Sequence, residues 1–162
     1  MPSKKEAAEK RYKQYIEEGR KIAKRNKTNP EFLVGIGVYW GEGYKTTRPG
    51  IANSDPDIIK HFLNFLKFFE ADKKRTKGYL RLHSKKDVAN VLQFWTEHLN
   101  VKEDFIKKVT FATKREKRRS KTDLKKGMVH INCYDIATLY RIFGAWKEVT
   151  GLDRAHWKAY IM

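Results

Sequence analysis

The sequence predicts an α+β fold in which helices back an antiparallel sheet. Two kinds of pattern lead to this prediction. Four segments after residue 28 carry apolar residues at helical spacing, and three segments alternate apolar and polar residues as half-buried strands do. Turn residues around Arg48-Pro49-Gly50 indicate a short hairpin, which adds two further strands.

Composition points to a polyanionic partner. The chain has 162 residues and a formal net charge of +17, from 36 Lys and Arg against 19 Asp and Glu. Nucleic acid suits this excess better than a membrane surface, because neither a long apolar run nor a signal peptide is present. A ribosome-associated or salt-adapted protein is the alternative interpretation of the same charge.

The length predicts one domain, at residues 29–152, with a basic helical extension at residues 1–28 and a tail at residues 153–162. The single cysteine, Cys133, excludes an intramolecular disulfide and a cysteine-based zinc cluster. We therefore expect a protein of the reducing cytoplasm. The five histidines show no metal-ligand spacing.

The extension is highly charged, with a thin apolar stripe at helical spacing. Gly19 is expected to interrupt or end its helix. The pattern leaves two interpretations open, a helix-turn-helix reader and a basic helical arm that lies on the domain or on DNA phosphates. The second is the simpler interpretation of a charge-rich helix.

A glycine-rich helix is the segment around which the chain is organised. Thr28-Asn29-Pro30-Glu31 predicts a capping box, so the helix begins near Pro30 and ends near Gly43. Gly37 and Gly41 are four residues apart and share one face, with Gly35 near the edge of that face. This spacing predicts close pairing with a second helix, and Glu42 lies at the foot of the contact.

The remaining elements follow in order. Asn53-Ser54-Asp55-Pro56 begins a helix that runs to residue 69, and residues 79–83 form a strand. A helix around Trp95 comes next. Residues 109–112 and 128–133 are predicted to pair as a long hairpin with a basic tip at residues 115–126, and a last helix runs from Asp135 to residue 151.

Residues 35–43 resemble the nine-residue signature of the LAGLIDADG homing endonucleases. Gly37 matches the first glycine of that motif, Gly41 its small residue, Glu42 its final acid and Gly43 its last glycine. Gly35 replaces the initial leucine, and Trp40 replaces an earlier acid. With the layout of the elements and Asn53-Ser54-Asp55-Pro56, the chain is similar to the small single-motif prokaryotic members over roughly residues 30–150.

The resemblance implies an αββαββα half-fold with a saddle-shaped antiparallel sheet, to which this chain adds the helix around Trp95. It also implies a function, site-specific cleavage of double-stranded DNA by a homodimer. Two motif helices, in contact through Gly37 and Gly41, would bring two Glu42 carboxylates to the scissile phosphates. There they would hold Mg²⁺ or another divalent cation.

The polar face of such a sheet can enter the DNA major groove. A basic residue near the acid would stabilise the charge of the transition state, and strand phase suggests Lys108 or Lys114. The hairpin tip is expected to contact phosphates. The predicted DNA-binding residues are Lys45, Arg48, Arg81, His83, Thr110, Arg115, Lys117, Arg118, Arg119, Lys121, His130 and Asn132.

Two other interpretations stay open. The chain could be a catalytically inactive DNA- or RNA-binding protein on the same scaffold, such as a regulator or a splicing helper, since the earlier acid is absent. Alternatively, residues 30–43 could be an ordinary glycine-rich core helix that ends in an exposed Glu42.

Overall fold

A computed structural model of the chain describes residues 3–113 and 125–152. The described helices are α1 (Lys4–Asn26), α2 (Pro30–Glu42), α3 (Pro56–Lys67), α4 (Val88–Leu99) and α5 (Ile136–Thr150). The strands are β1 (Gly43–Tyr44), β2 (Gly50–Asn53), β3 (Thr76–Leu82), β4 (Ile106–Phe111) and β5 (Met128–Cys133). Within this part of the chain, no helix combines the length and apolar character needed to cross a membrane.

The strands form one five-stranded sheet in the order β1-β2-β5-β3-β4. Neighbouring strands are antiparallel except for β3 and β4, which are parallel. Strand β5 lies at the centre, where Ile131 faces Ile51 of β2 and Val129 faces Leu80 of β3. The mixed α+β class and the order of the elements agree with the sequence prediction, including the additional helix α4.

The predicted hairpin between residues 109–112 and 128–133 is wrong. Strand β4 pairs with β3, and β5 lies between β2 and β3. Helix α4 explains the difference, because its twelve residues rise about 18 Å, close to the length of a six-residue strand. It returns the chain to the end of the sheet where β3 began, so that β4 runs parallel to β3 at the edge.

One face of the sheet lies on the hydrophobic core. In β3 the burial alternates along the whole strand, as expected when one face is covered. In β5 the predicted inward residues Val129, Ile131 and Cys133 are fully buried. Aromatic side chains fill the space between sheet and helices, with Phe32, Phe62, Phe65, Phe69 and Trp95 fully buried. Burial of this size is the main stabilising term of a small domain.

Helix α2 has the predicted bounds but a different cap. Asn29, not Thr28, is the N-cap, and its side-chain oxygen accepts a hydrogen bond from the backbone N–H of Phe32 at 3.2 Å. Gly35 was predicted to lie near the edge of the face that Gly37 and Gly41 share, but it does not. It is buried, and a Cβ there would overlap the ring of Phe65 on α3. Gly35 therefore lets α2 and α3 approach closely within one chain.

Helix α1 is continuous through Gly19, contrary to the prediction that this residue ends a helix. Gly19 and Gly144 are the points of closest approach between α1 and α5. A Cβ on Gly19 would overlap the carbonyl oxygen of Arg141, and a Cβ on Gly144 would overlap that of Ile16. The extension therefore packs along α5.

Side chains on both sides of this crossing add to the contact. Tyr12 stacks on Tyr140 with ring centroids 4.2 Å apart, and Arg20 Nε donates to Glu148 at 2.9 Å. Residues further along α1 contact residues further along α5, from Tyr12 with Tyr140 to Arg20 with Glu148. The two helices therefore run parallel.

Candidate functional site

The face of the sheet opposite the core is open to solvent over much of its area. It carries the residues of β3, β4 and β5 that alternate with the buried ones. These residues lie side by side across neighbouring strands, because Tyr79 is paired with both His130 and Lys108, and Lys77 is paired with Asn132. We call this surface the open face; it comprises Tyr44, Lys77, Tyr79, Arg81, Lys108, Thr110, His130, Asn132 and Tyr134, with Arg48 from the β1–β2 loop.

Most of the predicted DNA-binding residues that the structure describes share this face. Arg48, Arg81, Thr110, His130 and Asn132 are all on it. Lys45 lies at its β1 edge, and His83 follows the end of β3. The predicted residues Lys114, Arg115, Lys117, Arg118, Arg119 and Lys121 lie outside the described residues.

Sequence reasoning missed one lysine and three tyrosines on the open face. Lys77 was missed because Gly78 was taken as the end of a turn, whereas β3 begins at Thr76. Tyr44, Tyr79 and Tyr134 are linked to other polar groups of the face rather than to the core. The predicted alternation could have been extended by two residues, backwards from Tyr79 in β3 and forwards from Asn132 in β5. It would then have placed Lys77 and Tyr134 on this face.

His130 presents a neutral imidazole near the centre of the open face. Burial lowers its pKa, and the positive charge of Arg81 lowers it further. The imidazole Nδ1 lies 3.2 Å from the hydroxyl of Tyr44. If that hydroxyl donates, the remaining ring nitrogen carries the proton and can donate to a ligand. His130 therefore suits recognition of a hydrogen-bond acceptor rather than of a charge.

Glu42 is exposed at the last position of α2, beside β1 at one edge of the sheet. Lys45 is the cation that interacts with it. Burial lowers the pKa of Lys45, and the negative charge of Glu42 opposes this shift. The Lys45 ammonium donates to the carbonyl of Gly43 at 2.7 Å and lies 5.9 Å from the centre of the Tyr39 ring. A carboxylate and a partly buried ammonium are thus brought together at this edge.

The structure does not bring Lys108, a predicted catalytic partner, near Glu42. Lys108 is on β4 and Glu42 adjoins β1, and these strands form opposite edges of the sheet. Four strand spacings separate them, or about 19 Å. The prediction rested on strand phase alone, which does not fix where a strand lies in the sheet. Lys45, predicted only to bind DNA, occupies the place beside the acid.

No protein-family model, curated protein or solved structure matches this chain. The resemblance drawn from residues 35–43 therefore remains an expectation.

The outer side of α2 is an apolar face that stays exposed among the described residues. Leu33 is 38% exposed and Val34 is 46% exposed, and both recur at helical spacing with Gly37 and Gly41. A Cβ on either glycine would meet no described atom within 4 Å. Glu42 follows Gly41 as the last residue of α2, so a second helix laid along this face would also end near the carboxylate.

Trp40 anchors the end of α2 to α5. Its ring stacks on that of Trp146, with centroids 3.8 Å apart and planes 8° apart. Stacked aromatic pairs contribute beyond their buried area. Trp40 stands where the resembled motif has its earlier acid, so this chain places a packing contact at that position.

The described part of the chain contains no cluster of metal-ligating side chains. Among residues 3–113 and 125–152, no group of three or more His, Cys, Asp or Glu side chains could hold one. A single exposed carboxylate, Glu42, is nevertheless an oxygen donor of the type that Mg²⁺ prefers, and Mg²⁺ is commonly held by one or two carboxylates together with substrate phosphates. At Glu42, a cation would therefore need further oxygen donors from outside the described residues.

Proposed function

We propose that this protein is a site-specific double-stranded DNA endonuclease that requires a divalent cation and acts as a homodimer, on a LAGLIDADG-type scaffold. One observation carries the proposal. The glycine face of α2, which stays exposed among the described residues, leads to the exposed Glu42, beside the edge of a basic open face. A dimer contact, an acid and a DNA-binding surface are then adjacent.

The open face supports duplex binding through charge and shape. A sheet surface rich in Lys, Arg, Asn and Thr has the donors and acceptors that read base edges in the major groove. The net charge of +17 favours contact with the phosphate backbone. Lys77 and Lys108, on strands at one end of the sheet, are suited to phosphate contacts, which position the duplex without reading it.

A two-fold dimer supplies the second acid. Each chain contributes one Glu42, and cutting both strands symmetrically requires two such sites. Close approach of two α2 helices through Gly37 and Gly41 would bury Leu33 and Val34 and bring both carboxylates near the dyad.

Glu42 would hold the divalent cation together with phosphate oxygens and the Glu42 of the second copy. When bound, such a cation supplies activation of water and stabilisation of the leaving oxygen. Lys45, beside Glu42, would stabilise negative charge that develops on the scissile phosphate. The partial burial of its ammonium strengthens that interaction, because the local dielectric is lower than in water.

A catalytically inactive DNA- or RNA-binding protein is the second candidate. The observation that favours it is Trp40, which stacks on Trp146 where the resembled motif has an acid. Lys45 could serve either protein, but the exposed Glu42 carboxylate at the edge of the open face would repel phosphates and has no evident role in a protein that only binds nucleic acid. We therefore place the endonuclease first.

A nicking assay separates the two candidates. Wild-type protein is incubated with a plasmid library and Mg²⁺, beside Glu42→Gln and the control Glu31→Gln. Glu31 is also exposed on α2, and its side chain accepts from Asn64 at 2.7 Å, a bond that glutamine can keep. Wild type and the control should cleave, whereas Glu42→Gln should bind DNA without cutting, because the amide lacks the charge that holds the cation.

The outcomes differ clearly. Full cleavage by Glu42→Gln would remove Glu42 from the catalytic site. Tight duplex binding by all three proteins with no cleavage would favour the inactive binding protein.

Duplex binding itself should depend strongly on salt. If the basic surface neutralises about six to ten phosphates, affinity should fall roughly 10³- to 10⁵-fold between 50 and 200 mM salt. A joint change of Arg115, Lys117, Arg118 and Arg119 to Ser should weaken binding to all sequences similarly. Fluorescence anisotropy at several salt concentrations measures both effects, and a flat titration would contradict the electrostatic interpretation.

A further inference from the structure

The backbone around Arg48 is fixed to the centre of the sheet. The carbonyl of Pro49 accepts a hydrogen bond from the backbone N–H of Cys133 at 2.8 Å. The next residue, Gly50, pairs with Asn132 in the β2–β5 ladder. Arg48 therefore projects from a loop that is tied to β5 immediately after it.

The guanidinium of Arg48 is held from two directions. Its Nε donates to the side-chain oxygen of Asn132 at 3.2 Å, and its Cζ lies 4.8 Å from the centre of the Tyr134 ring. The Tyr134 hydroxyl is in turn 2.9 Å from the hydroxyl of Tyr79 on β3. Asn132 is only 9% exposed, so its side chain is itself well fixed.

Gly50 leaves the space that this arrangement of Arg48 and Asn132 needs. A Cβ at this position would lie 3.0 Å from the Asn132 side-chain oxygen and 2.7 Å from the Tyr44 ring. A larger residue would overlap the carbonyl oxygen of Ile131 at 2.7 Å and would also press on the oxygen that holds Arg48.

We propose that Arg48 reads a guanine in the major groove of duplex DNA, with Asn132 and Tyr134 as its positioning residues. This inference rests on the proposed function, since it assigns a base to the surface that would bind the duplex. The described residues form no hydrogen bond with the two terminal nitrogens of Arg48. These nitrogens form the fork that donates to O6 and N7 of guanine.

The way Arg48 is held distinguishes it from the other cations of the open face. A guanidinium that is already oriented loses less side-chain entropy on binding and tolerates less misalignment than a flexible ammonium. Lys77 and Lys108 each carry a compact charge on a long flexible chain, which suits phosphate contacts. Arg48 therefore contributes specificity, whereas the lysines contribute affinity.

The test is a binding selection without divalent cation, so that it does not depend on cleavage. Wild type, Arg48→Lys, Tyr134→Leu, Tyr134→Phe and the control Lys108→Ser are each used to recover duplexes from a randomised library. Far-UV circular dichroism and thermal melting establish that every variant is folded. Affinities for the selected site and for single-base variants of it are then measured at several salt concentrations.

Wild type should require guanine at one position of each half-site, and replacing that base should weaken binding roughly 10- to 100-fold. Arg48→Lys should remove this preference and leave the other positions and the salt slope nearly unchanged. Tyr134→Leu should reproduce the effect in part, while Tyr134→Phe, which keeps the ring, should do so less. Lys108→Ser should weaken all duplexes equally.

Equal weakening of all duplexes by Arg48→Lys would mean a phosphate contact and would overturn the inference. Salt-dependent duplex binding by wild type without a guanine requirement would overturn it as well, and would leave the proposed function standing. Folded wild-type protein that prefers single-stranded DNA or RNA to duplex would overturn the proposed function together with the inference.

Discussion

Two pairs of helical glycines in this molecule have opposite surroundings. Gly19 and Gly144 lie where α1 crosses α5, and a methyl group on either would overlap a carbonyl oxygen of the facing helix. Gly37 and Gly41 lie on the outer side of α2, and a methyl group there would meet no described atom within 4 Å. The space beside the first pair is filled by the same chain, whereas no described atom fills the space beside the second pair.

The difference is consistent with the proposed pairing of two α2 helices. A glycine inside a helix costs up to about 1 kcal/mol relative to alanine, so it is expected where close packing compensates. At Gly19 and Gly144 the compensation is visible. Gly37 and Gly41 carry the same cost, with exposed Leu33 and Val34 alongside. A second copy of α2 would supply the compensation that one chain lacks.

The largest effect is expected at the filled pair. Gly144→Ala should force α1 away from α5, because the new methyl group overlaps backbone that cannot rotate away. We expect a loss of about 3 kcal/mol in the free energy of unfolding, or a fall in Tm of roughly 6–12 °C. Differential scanning calorimetry measures it. An unchanged Tm would show that the α1–α5 crossing is looser than described.

Substitution of Gly37 or Gly41 should change the free energy of unfolding in the opposite direction. Gly37→Ala and Gly41→Ala should leave the isolated chain unchanged or more stable by about 0.5–1 kcal/mol, since alanine favours helix and meets nothing. The same changes should weaken self-association, and Gly41→Leu should leave a monomer.

Sedimentation velocity across a concentration series, with and without duplex DNA, tests this contrast. Gly144→Ala is the matched control, because it should reduce stability without acting on the α2 face. A wild-type protein that stays monomeric in both conditions would rule out the α2 interface.

The smallest effect is expected at an ion pair beside the crossing of α1 and α5. Arg141 Nε donates to Glu18 at 2.8 Å. Burial acts to raise the pKa of Glu18, but hydrogen bonds from Arg141 and Gln14 outweigh it, and the net pKa is lowered. The resulting stabilisation is complete above the ordinary carboxyl pKa and is lost as the pH falls through the lowered value.

Glu18→Gln should therefore cost up to about 1 kcal/mol at pH 7 and much less in acid, where wild-type Glu18 is also neutral. Melting curves at a series of pH values from 7 down to 2 measure the difference, with the exposed Glu9→Gln on the same helix as control. An equal cost at all pH values would assign the effect to packing rather than charge.

The sequence predicted those features that depend on local patterns. Helix α2 was bounded correctly because Pro30 and Gly43 mark its ends. The outward positions His130 and Asn132 followed from simple alternation in β5. The α+β class and the additional helix α4 followed from counting periodic segments.

Apart from the cap of α2 and the start of β3, the failures involve contacts between residues distant in the sequence. Nothing local to residues 106–133 indicates that β4 returns to β3 while β5 enters the centre of the sheet. Gly19 was interpreted as a helix end because its partner, Gly144, is 125 residues away. Lys108 was suggested as the partner of Glu42 by strand phase alone, which could not show that β1 and β4 form opposite edges of the sheet.

The stacked indoles of Trp40 and Trp146 give the molecule an optical reporter close to its candidate acid. Two transition dipoles 3.8 Å apart couple strongly and should produce a paired positive and negative band in circular dichroism. Trp40 is two residues before Glu42, so a shift of α2 relative to α5 would change this band. Association of two copies, or loading of a divalent cation, could thus be followed without a label.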